Sequence, residues 1–374
     1  MTTRRFTRTS PTLVAIVLLV AAPVTAKDVE FLFSFGEFGN GNGQFDEPVD
    51  IALDGIGNIY VTDFQNDRVQ VFDNAGNYQF QFGGTGNGDG QLYKPWGIAL
   101  TDSGNVYVAE HANHRVQVFD SLGNYQFQFG NEGTGNGQFN EPTGIAMNVN
   151  GDIYVAEWAN NRVQVFDSAG NYQFQFGSAG TSNGEFRVPA NIVLDGDGNI
   201  YLAERNNSRV QVFDSTGSYQ FQFGGSGNGD GQFLQAFGIA LDESGDIYVT
   251  DRGNDRVQVF DSAGTFQFAF GNEGTGNGQF DRPNGIAVDD AGRIYVAEGL
   301  NNRVSVWQIT TMPTPGDANG DGKVDGLDYL VWAENFDDNL AEIHRFTGER
   351  GLYDTAASTG LTTWSGRRTS KWAE

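Results

Sequence analysis

The sequence of 374 residues contains no cysteine and only three histidines. The lack of cysteine excludes disulfides, thiol nucleophiles and cysteine-ligated metal centres. Basic residues are also scarce, with 22 Lys and Arg against 47 Asp and Glu, and the formal charge is −25. Nucleic acids and anionic membranes are bound through clustered Lys and Arg, so we expect neither as a partner.

Glycine and aromatic residues are abundant instead, with 52 Gly, 30 Phe and 13 Tyr. The glycine content is roughly double its usual share in globular proteins. Many glycines beside many aromatic residues indicate short strands joined by tight turns. The composition therefore predicts an all-β protein.

Residues 1–26 have the features of a secretory signal peptide. Three arginines within the first eight residues precede an apolar run from Leu13 to Ala22, and Val24-Thr25-Ala26 supplies a small-residue cleavage site. The run is too short to cross a bilayer comfortably, and no later segment is long and apolar enough for membrane insertion. We expect a secreted, periplasmic or cell-surface protein.

A unit of 47 residues occurs six times without insertion or deletion. The first copy, which begins at Gly43, reads GQFDEPVDIALDGIGNIYVTDFQNDRVQVFDNAGNYQFQFG, and the others begin at Gly90, Gly137, Gly184, Gly231 and Gly278. A repeat of this length is typical of solenoids and propellers, in which one supersecondary unit stacks on the next.

Each unit contains four β-prone runs, which in the first copy cover residues 51–53, 59–62, 69–72 and 78–82. The runs RVQVF and YQFQF alternate with period two, and the separators are rich in Gly, Asn and Asp, which suit tight turns. We therefore predict a four-stranded antiparallel meander in each unit. Such units bury their faces by stacking as the blades of a propeller.

The two ends of the repeat region predict how the ring closes. The sixth unit stops after residues 304–308 and lacks its YQFQFG strand, whereas residues 31–36 read FLFSFG and resemble the missing strand. We therefore predict that residues 27–309 form a six-bladed β-propeller whose N-terminal strand completes the last blade.

The third unit shows the repeat pattern in full, with Pro142, Gly144-Ile145-Ala146, Ile153 to Glu157, Asn160 and Arg162 to Phe166. This pattern resembles the NHL repeat family over residues 31–309. The resemblance implies a six-bladed propeller that acts as a binding or scaffold module. Related propellers include lyases and lactonases, so an enzyme acting on an extracellular polysaccharide or a related metabolite is the alternative.

An acidic residue, an asparagine three positions later and an arginine five positions later recur in every unit. We interpret this set as an ion pair that closes the turn between the second and third strands, because a catalytic interpretation would require six active sites. The acids are Asp63, Glu110, Glu157, Glu204, Asp251 and Glu298.

Two positions per blade vary on the face where the loops before the first strand and the turns between the second and third strands open together. Aromatic residues and arginine occur there, a composition typical of binding hot spots. We expect a glycan, peptide or protein ligand on this face and a monomeric chain; random variation in a purely structural surface protein is the alternative. The candidate residues are Phe64, Trp96, His111, Trp158, Arg205, Phe237 and Arg252.

The sequence assigns no catalytic residue. His111 and His114 share one turn of the second blade and His344 lies beyond the repeats, so several blades cannot contribute histidines to one site. His114 is expected to be an exposed turn residue. A carboxylate-only site remains open through Asp50 or Asn191, which occupy a position that is glycine in the other blades.

After a linker at residues 310–315, residues 316–338 contain a calcium loop followed by a predicted helix, residues 329–336. Oxygen ligands occur at the spacing of an EF-hand loop, with Gly322 at its sharp turn. The predicted calcium ligands are Asp317, Asn319, Asp321, Lys323 through its backbone carbonyl, Asp325 and Asp328.

The final Asp and the lack of a preceding helix resemble type I dockerin, and this implies calcium-dependent docking onto a cohesin-like partner. Gly326 and Leu327 stand where that family commonly has a polar pair. Dockerins carry two loops, and one set of codons for VDGLDYLVWA, read one nucleotide late, encodes STGLTTWSGR, which is residues 358–367. We hypothesise a frameshifted second repeat and expect residues 339–374 to be disordered.

Overall fold

The structure is a computed structural model that describes residues 27–311. It contains 24 strands and, within these residues, no helix long and apolar enough to cross a membrane. The predicted signal peptide, the calcium segment at 316–338 and the tail at 339–374 lie outside the described residues. Thr310 and Thr311, which were predicted to lie in the linker, belong to the last strand.

The strands follow one another in sets of four after β1 (Lys27–Phe35). The first three blades contain β2 (Pro48–Leu53), β3 (Ile59–Asp63), β4 (Arg68–Phe72), β5 (Tyr78–Gly83), β6 (Pro95–Leu100), β7 (Val106–Glu110), β8 (Arg115–Phe119), β9 (Tyr125–Phe129), β10 (Pro142–Met147), β11 (Ile153–Glu157), β12 (Arg162–Phe166) and β13 (Tyr172–Phe176). The last three contain β14 (Pro189–Leu194), β15 (Ile200–Glu204), β16 (Arg209–Phe213), β17 (Tyr219–Gly224), β18 (Ala236–Leu241), β19 (Ile247–Asp251), β20 (Arg256–Phe260), β21 (Phe266–Phe270), β22 (Pro283–Val288), β23 (Arg293–Glu298) and β24 (Arg303–Thr311).

The strand order confirms the predicted ring. Five sheets contain four consecutive strands each, and the sixth has the order β1-β24-β23-β22, so the N-terminal strand completes the last blade. Phe31 of β1 meets Trp307 of β24 edge to face, with ring centroids 5.5 Å apart. This non-covalent closure replaces the disulfide that a chain without cysteine cannot form.

The core lies between the blades. Both middle strands of every blade are buried along almost their whole length, because the neighbouring blades cover both faces of each sheet. In the layer between the third and fourth blades, Tyr154 and Val163 pack with Ile192 and Leu202. The outer strands alternate between half-buried and exposed residues, and this explains the YQFQF pattern, in which Gln points to solvent.

The repeated acid and arginine form the buried ion pair that the sequence predicts. The strand register places Glu157 opposite Arg162, and their side chains meet at 2.5 Å. The six pairs have N–O distances of 2.5 to 2.9 Å. Arg162 also donates to the carbonyls of Thr134, Gly135 and Gln138, so the network fastens the preceding loop to the turn between the second and third strands.

The residue before each of these arginines connects neighbouring blades. Asp67, His114 and Asn161 have φ of 56°, 53° and 51°, a left-handed region that Asn and Asp tolerate well. The Nδ1 atom of His114 accepts a hydrogen bond of 3.0 Å from the amide of Glu141 in the next blade. The expectation that His114 is an exposed turn residue was therefore wrong: it is half-buried and joins two blades.

Candidate functional site

The turn at residues 64–67 and the loop before β2 open on one face of the ring, which we call the upper face. The turns at residues 54–58 and 73–77 open on the opposite, lower face, because consecutive strands run in opposite directions. The amide of Phe64 donates to the carbonyl of Glu47 just before β2, which joins the two upper loops of this blade.

Five of the seven candidate residues form one aromatic cluster over the ring axis. Trp96 lies at its centre, with ring centroids 4.9 Å from His111, 5.5 Å from Phe64, 5.5 Å from Trp158 and 5.7 Å from Phe237. These side chains come from the first, second, third and fifth blades. Closure of the ring therefore brings together residues that are up to 173 positions apart in the sequence.

The members of the aromatic cluster differ in depth. Phe237 has only 3% of its surface exposed and packs with Val49 and Ala190, so it closes the upper mouth of the ring from within. Phe64, Trp96, His111 and Trp158 remain half-exposed. Phe237 thus supports the surface from below, and the other four residues are accessible to a ligand.

The two candidate arginines lie beside this cluster. The Arg205 guanidinium lies 5.0 Å from the centroid of Trp158, and that of Arg252 lies 5.2 Å from the centroid of Phe237. The Gln235 Oε1 atom accepts hydrogen bonds from both arginines, at 3.2 and 3.4 Å, and the Asn284 Oδ1 atom accepts one from Arg252 at 2.8 Å. We call these four residues the arginine clamp.

Neither arginine of the clamp has a carboxylate within 4.0 Å among residues 27–311. Burial lowers the pKa of Arg205, and burial together with the charges of Arg205 and Arg282 lowers the pKa of Arg252 to about 10. Glu47 and Asp255 act on Arg252 in the opposite direction from a greater distance. Both clamp arginines therefore stay protonated at neutral pH.

His111 adds a polar group to the aromatic half of the surface. Its Nδ1 atom is buried and has no hydrogen-bond partner among the described residues. Burial is the main cause that lowers the pKa of His111, so the ring is neutral at physiological pH.

The upper face divides into two chemically different halves. We count the turns between the second and third strands together with the two residues before each first strand. At these positions, blades four to six carry four arginines against Asp255 and Asp281. The same positions of blades one to three carry Phe64, His111 and Trp158, with Lys94 as their one cation against four acids. In a chain with a formal charge of −25, this cationic half stands out.

The two residues that left a carboxylate-only site open meet inside the central channel. Asp50 and Asn191 belong to opposite blades, and Asn191 Nδ2 donates to Asp50 Oδ1 at 3.0 Å across the axis. The amide of Ile98 donates to the second carboxylate oxygen of Asp50 at 3.1 Å. Burial raises the pKa of Asp50 to about 7, because no cation accompanies the carboxyl.

The other blades need glycine at this level of the channel. A Cβ atom on Gly97 would lie 2.2 Å from the carbonyl oxygen of Thr143, and one on Gly144 would lie 2.6 Å from the Cα atom of Asn191. Asp50 and Asn191 also line a pocket of roughly 200 Å³ whose other walls are aliphatic. Among the described residues no group of three or more His, Cys, Asp or Glu is placed to hold a metal ion.

Seven residues of this surface were predicted from the sequence, and neither Gln235 nor Asn284 was among them. Gln235 precedes the first strand of the fifth blade, at a position that is Glu47, Lys94 and Glu141 in the first three blades. That variability was a usable signal. Its importance became visible only when the ring placed the Gln235 carboxamide between two arginines.

Comparison with family models finds NHL repeats in this chain. Residues 45–72, 92–119 and 139–166 match the NHL repeat. Residues 192–253 and 244–314 match a family described as a 6-bladed beta-propeller. Both findings agree with the observed ring and confirm the resemblance to NHL repeats.

One curated protein with similar sequence is the B-box type zinc finger protein ncl-1 of Caenorhabditis elegans. It is 51% identical over 45 residues, which are 12% of this chain and 5% of that protein. The chain therefore spans a small fraction of this relative, and the similarity is confined to the length of about one repeat unit.

Solved structures share the fold at low sequence identity. A protein of unknown function from Bacteroides thetaiotaomicron has a TM-score of 0.58 with 20% identity, covering 76% of both chains. An auxiliary nutrient binding protein from the same organism has a TM-score of 0.56 with 15% identity, covering 76% and 77%. A streptogramin B lyase has a TM-score of 0.55 with 14% identity, covering 76% and 98%.

Proposed function

We propose that the chain is an exported, non-enzymatic binding and scaffold propeller that recognises a glycan, peptide or protein through its upper face. One observation carries this proposal: six of the seven selected residues, from five different repeats, lie together on one surface, and the seventh, Phe237, packs beneath it. The framework around them is the same in every blade, so the differences between blades are concentrated where a ligand can reach them.

The chemistry of this surface supports binding. Partly exposed tryptophans supply large contact area at small entropic cost, and arginines supply directed hydrogen bonds, the combination enriched in binding hot spots. Trp96 and Trp158 are half-exposed, and Arg205 lies over Trp158. A propeller of similar fold is named an auxiliary nutrient binding protein, which agrees with a role in ligand capture.

The C-terminal segment would tether this binding module. The ligand spacing from Asp317 to Asp328 suits a hard cation such as Ca²⁺, and the resemblance to dockerin implies a cohesin-like partner outside the cell. We expect the full chain to bind one Ca²⁺ at this loop in equilibrium dialysis. Replacement of Asp317 and Asp328 by Asn should abolish that binding; unchanged calcium stoichiometry would contradict the assignment.

The binding function is tested by retention of the full chain on glycan, peptide and protein arrays. Trp96→Ala and Trp158→Ala should each weaken retention about tenfold or more, because each removes a central contact. Leu122→Ala is the matched control, since Leu122 is an apolar side chain on the lower face with 74% exposure. If the tryptophan variants are retained as well as the control, the chain is better described as a purely structural surface protein.

A propeller lyase or lactonase is the second candidate function, and Asp50 is the observation that favours it. Its carboxyl group lines an aliphatic pocket and has a pKa raised to about 7 by burial, which suits proton transfer. Metal analysis of the full chain tests this candidate. A stoichiometric transition metal that is lost in Asp50→Asn would favour it over the binding function.

A further inference from the structure

We propose that the arginine clamp holds a carboxylate, and that the ligand of the upper face is an acidic glycan built from uronic-acid units. This inference rests on the proposed binding function and names the class of ligand. Its source is the juxtaposition of two half-buried arginines without carboxylate partners and a partly exposed aromatic surface.

The clamp is organised before any ligand arrives. Arg205 lies over Trp158, Arg252 lies over Phe237, and the Gln235 oxygen accepts hydrogen bonds from both guanidinium groups. These contacts use Nε of Arg205 and both Nε and Nη1 of Arg252. The remaining terminal nitrogens have no hydrogen-bond partner among residues 27–311, and they can donate to a ligand without rearrangement.

The charges indicate that the missing partner is an anion. The arginine that recurs at the start of the third strand of every blade, which we call the framework arginine, binds a buried acid at 2.9 Å or less in all six blades. Arg205 and Arg282 instead lie close enough to Arg252 to lower its pKa further, with Glu47 and Asp255 acting in the opposite direction. A bound carboxylate would relieve this repulsion and accept two parallel N–H bonds from a planar guanidinium.

The surroundings favour a sugar acid over an acidic peptide. The strands run between the upper and lower faces, so the upper face presents turns and strand ends but no strand edge on which a peptide could add a strand. The partly exposed Trp96 and Trp158 can contact the C–H faces of sugar rings.

Calorimetric titration of the full chain with trigalacturonate at low salt tests the inference. We expect binding that weakens as NaCl is added, and that falls at least about tenfold when the carboxylates are methyl-esterified. Arg205→Gln and Arg252→Gln should each weaken binding about tenfold. Arg293→Gln is the matched control, because Arg293 also lies over an aromatic ring, Tyr295, but on the lower face and paired with Asp289.

Equal binding of the methyl ester, or equal binding by the two clamp variants, would overturn the carboxylate clamp. The assignment of the ligand as an acidic glycan would be overturned if hexaglutamate bound more tightly than trigalacturonate. It would also be overturned if the chain bound neither compound. Circular dichroism checks that each variant is folded. If Arg252→Gln fails to fold, Arg205→Lys still tests the carboxylate clamp. It should weaken trigalacturonate binding, because lysine keeps the charge but loses the bidentate geometry.

Failure of this inference is distinguishable from failure of the proposed function. If array retention depends on Trp96 and Trp158 while Arg205→Gln and Arg252→Gln have no effect, the carboxylate clamp is wrong and the binding function stands. If retention is insensitive to all four changes, the proposed function itself is wrong.

Discussion

Two sets of arginines in this propeller serve opposite purposes. Arg162 is surrounded by Glu157, Gln175 and three backbone carbonyls, and every blade repeats the acid and at least two of the carbonyls. Arg205, on the upper face, has one carboxamide partner and an aromatic ring beneath it. A position repeated in every blade thus supports the fold, and a position that differs between blades is available for binding.

The framework arginine should give the largest effect on stability. Arg162→Met leaves Glu157 buried without its cation, which should lower the free energy of unfolding by about 3–5 kcal/mol. Urea unfolding of the two proteins measures this difference. A loss as small as that of a surface substitution would mean that the network is not the basis of the repeat.

A buried carboxylate without an arginine should behave differently from Glu157. Burial raises the pKa of Asp50 to about 7 from its ordinary 3.8, so the folded chain holds a proton that the unfolded chain releases in this range. This contribution to stability is complete below the lower value and declines as pH rises, by about 1.4 kcal/mol per pH unit.

Asp50→Asn should therefore become more stable relative to the unsubstituted chain as pH rises from 4 to 7. Denaturant unfolding at several pH values within this window gives the difference directly, because the other buried acids are common to both proteins. A difference that is independent of pH would show that Asp50 is already ionised in the folded chain.

The arginines of the clamp should contribute little to stability. Because Arg205 and Arg252 repel each other and bind no acid among the described residues, replacing both by Gln should change the free energy of unfolding by less than about 1 kcal/mol. Thermal unfolding compares this double variant with Arg162→Met. Equal losses would erase the distinction between the two sets of arginines.

The smallest effect is expected for His114→Asn. Asparagine occupies the same position in the third blade, tolerates the left-handed backbone and offers an acceptor, since Asn161 Oδ1 binds the amide of Val188 at 2.9 Å. His114→Asn should thus change stability by less than about 0.5 kcal/mol, whereas His114→Ala should cost about 1 kcal/mol. Indistinguishable unfolding midpoints for the two variants would argue against the bond between blades.

Much of this fold could be predicted because the same pattern of strands and turns occurs in six repeat units. The number of blades, the closure by residues 31–36 and the common face of the candidate residues all follow from strand alternation and from the missing last strand. The pairing of Asp50 with Asn191 could not be predicted, because two residues 141 positions apart meet only once the ring has placed their blades opposite each other.

The sequence also could not predict how deeply individual side chains are buried. Trp96 and Phe237 occupy equivalent positions beside the first strand, and either could have been the exposed one. Val49, Ala190 and Phe237 pack together at this position with Trp96 against them, so the neighbours decide which side chain is covered. Phe237 lies beneath the Arg252 guanidinium and beside Trp96, and it is therefore buried.

A crystal structure of the chain soaked with trigalacturonate tests the central claim, that the upper face is the ligand surface, most directly. We predict a sugar carboxylate within hydrogen-bond distance of Arg205 and Arg252, with the sugar rings against Trp96 and Trp158. Sugar density in the channel pocket beside Asp50, or on the lower face, with the clamp empty would contradict it.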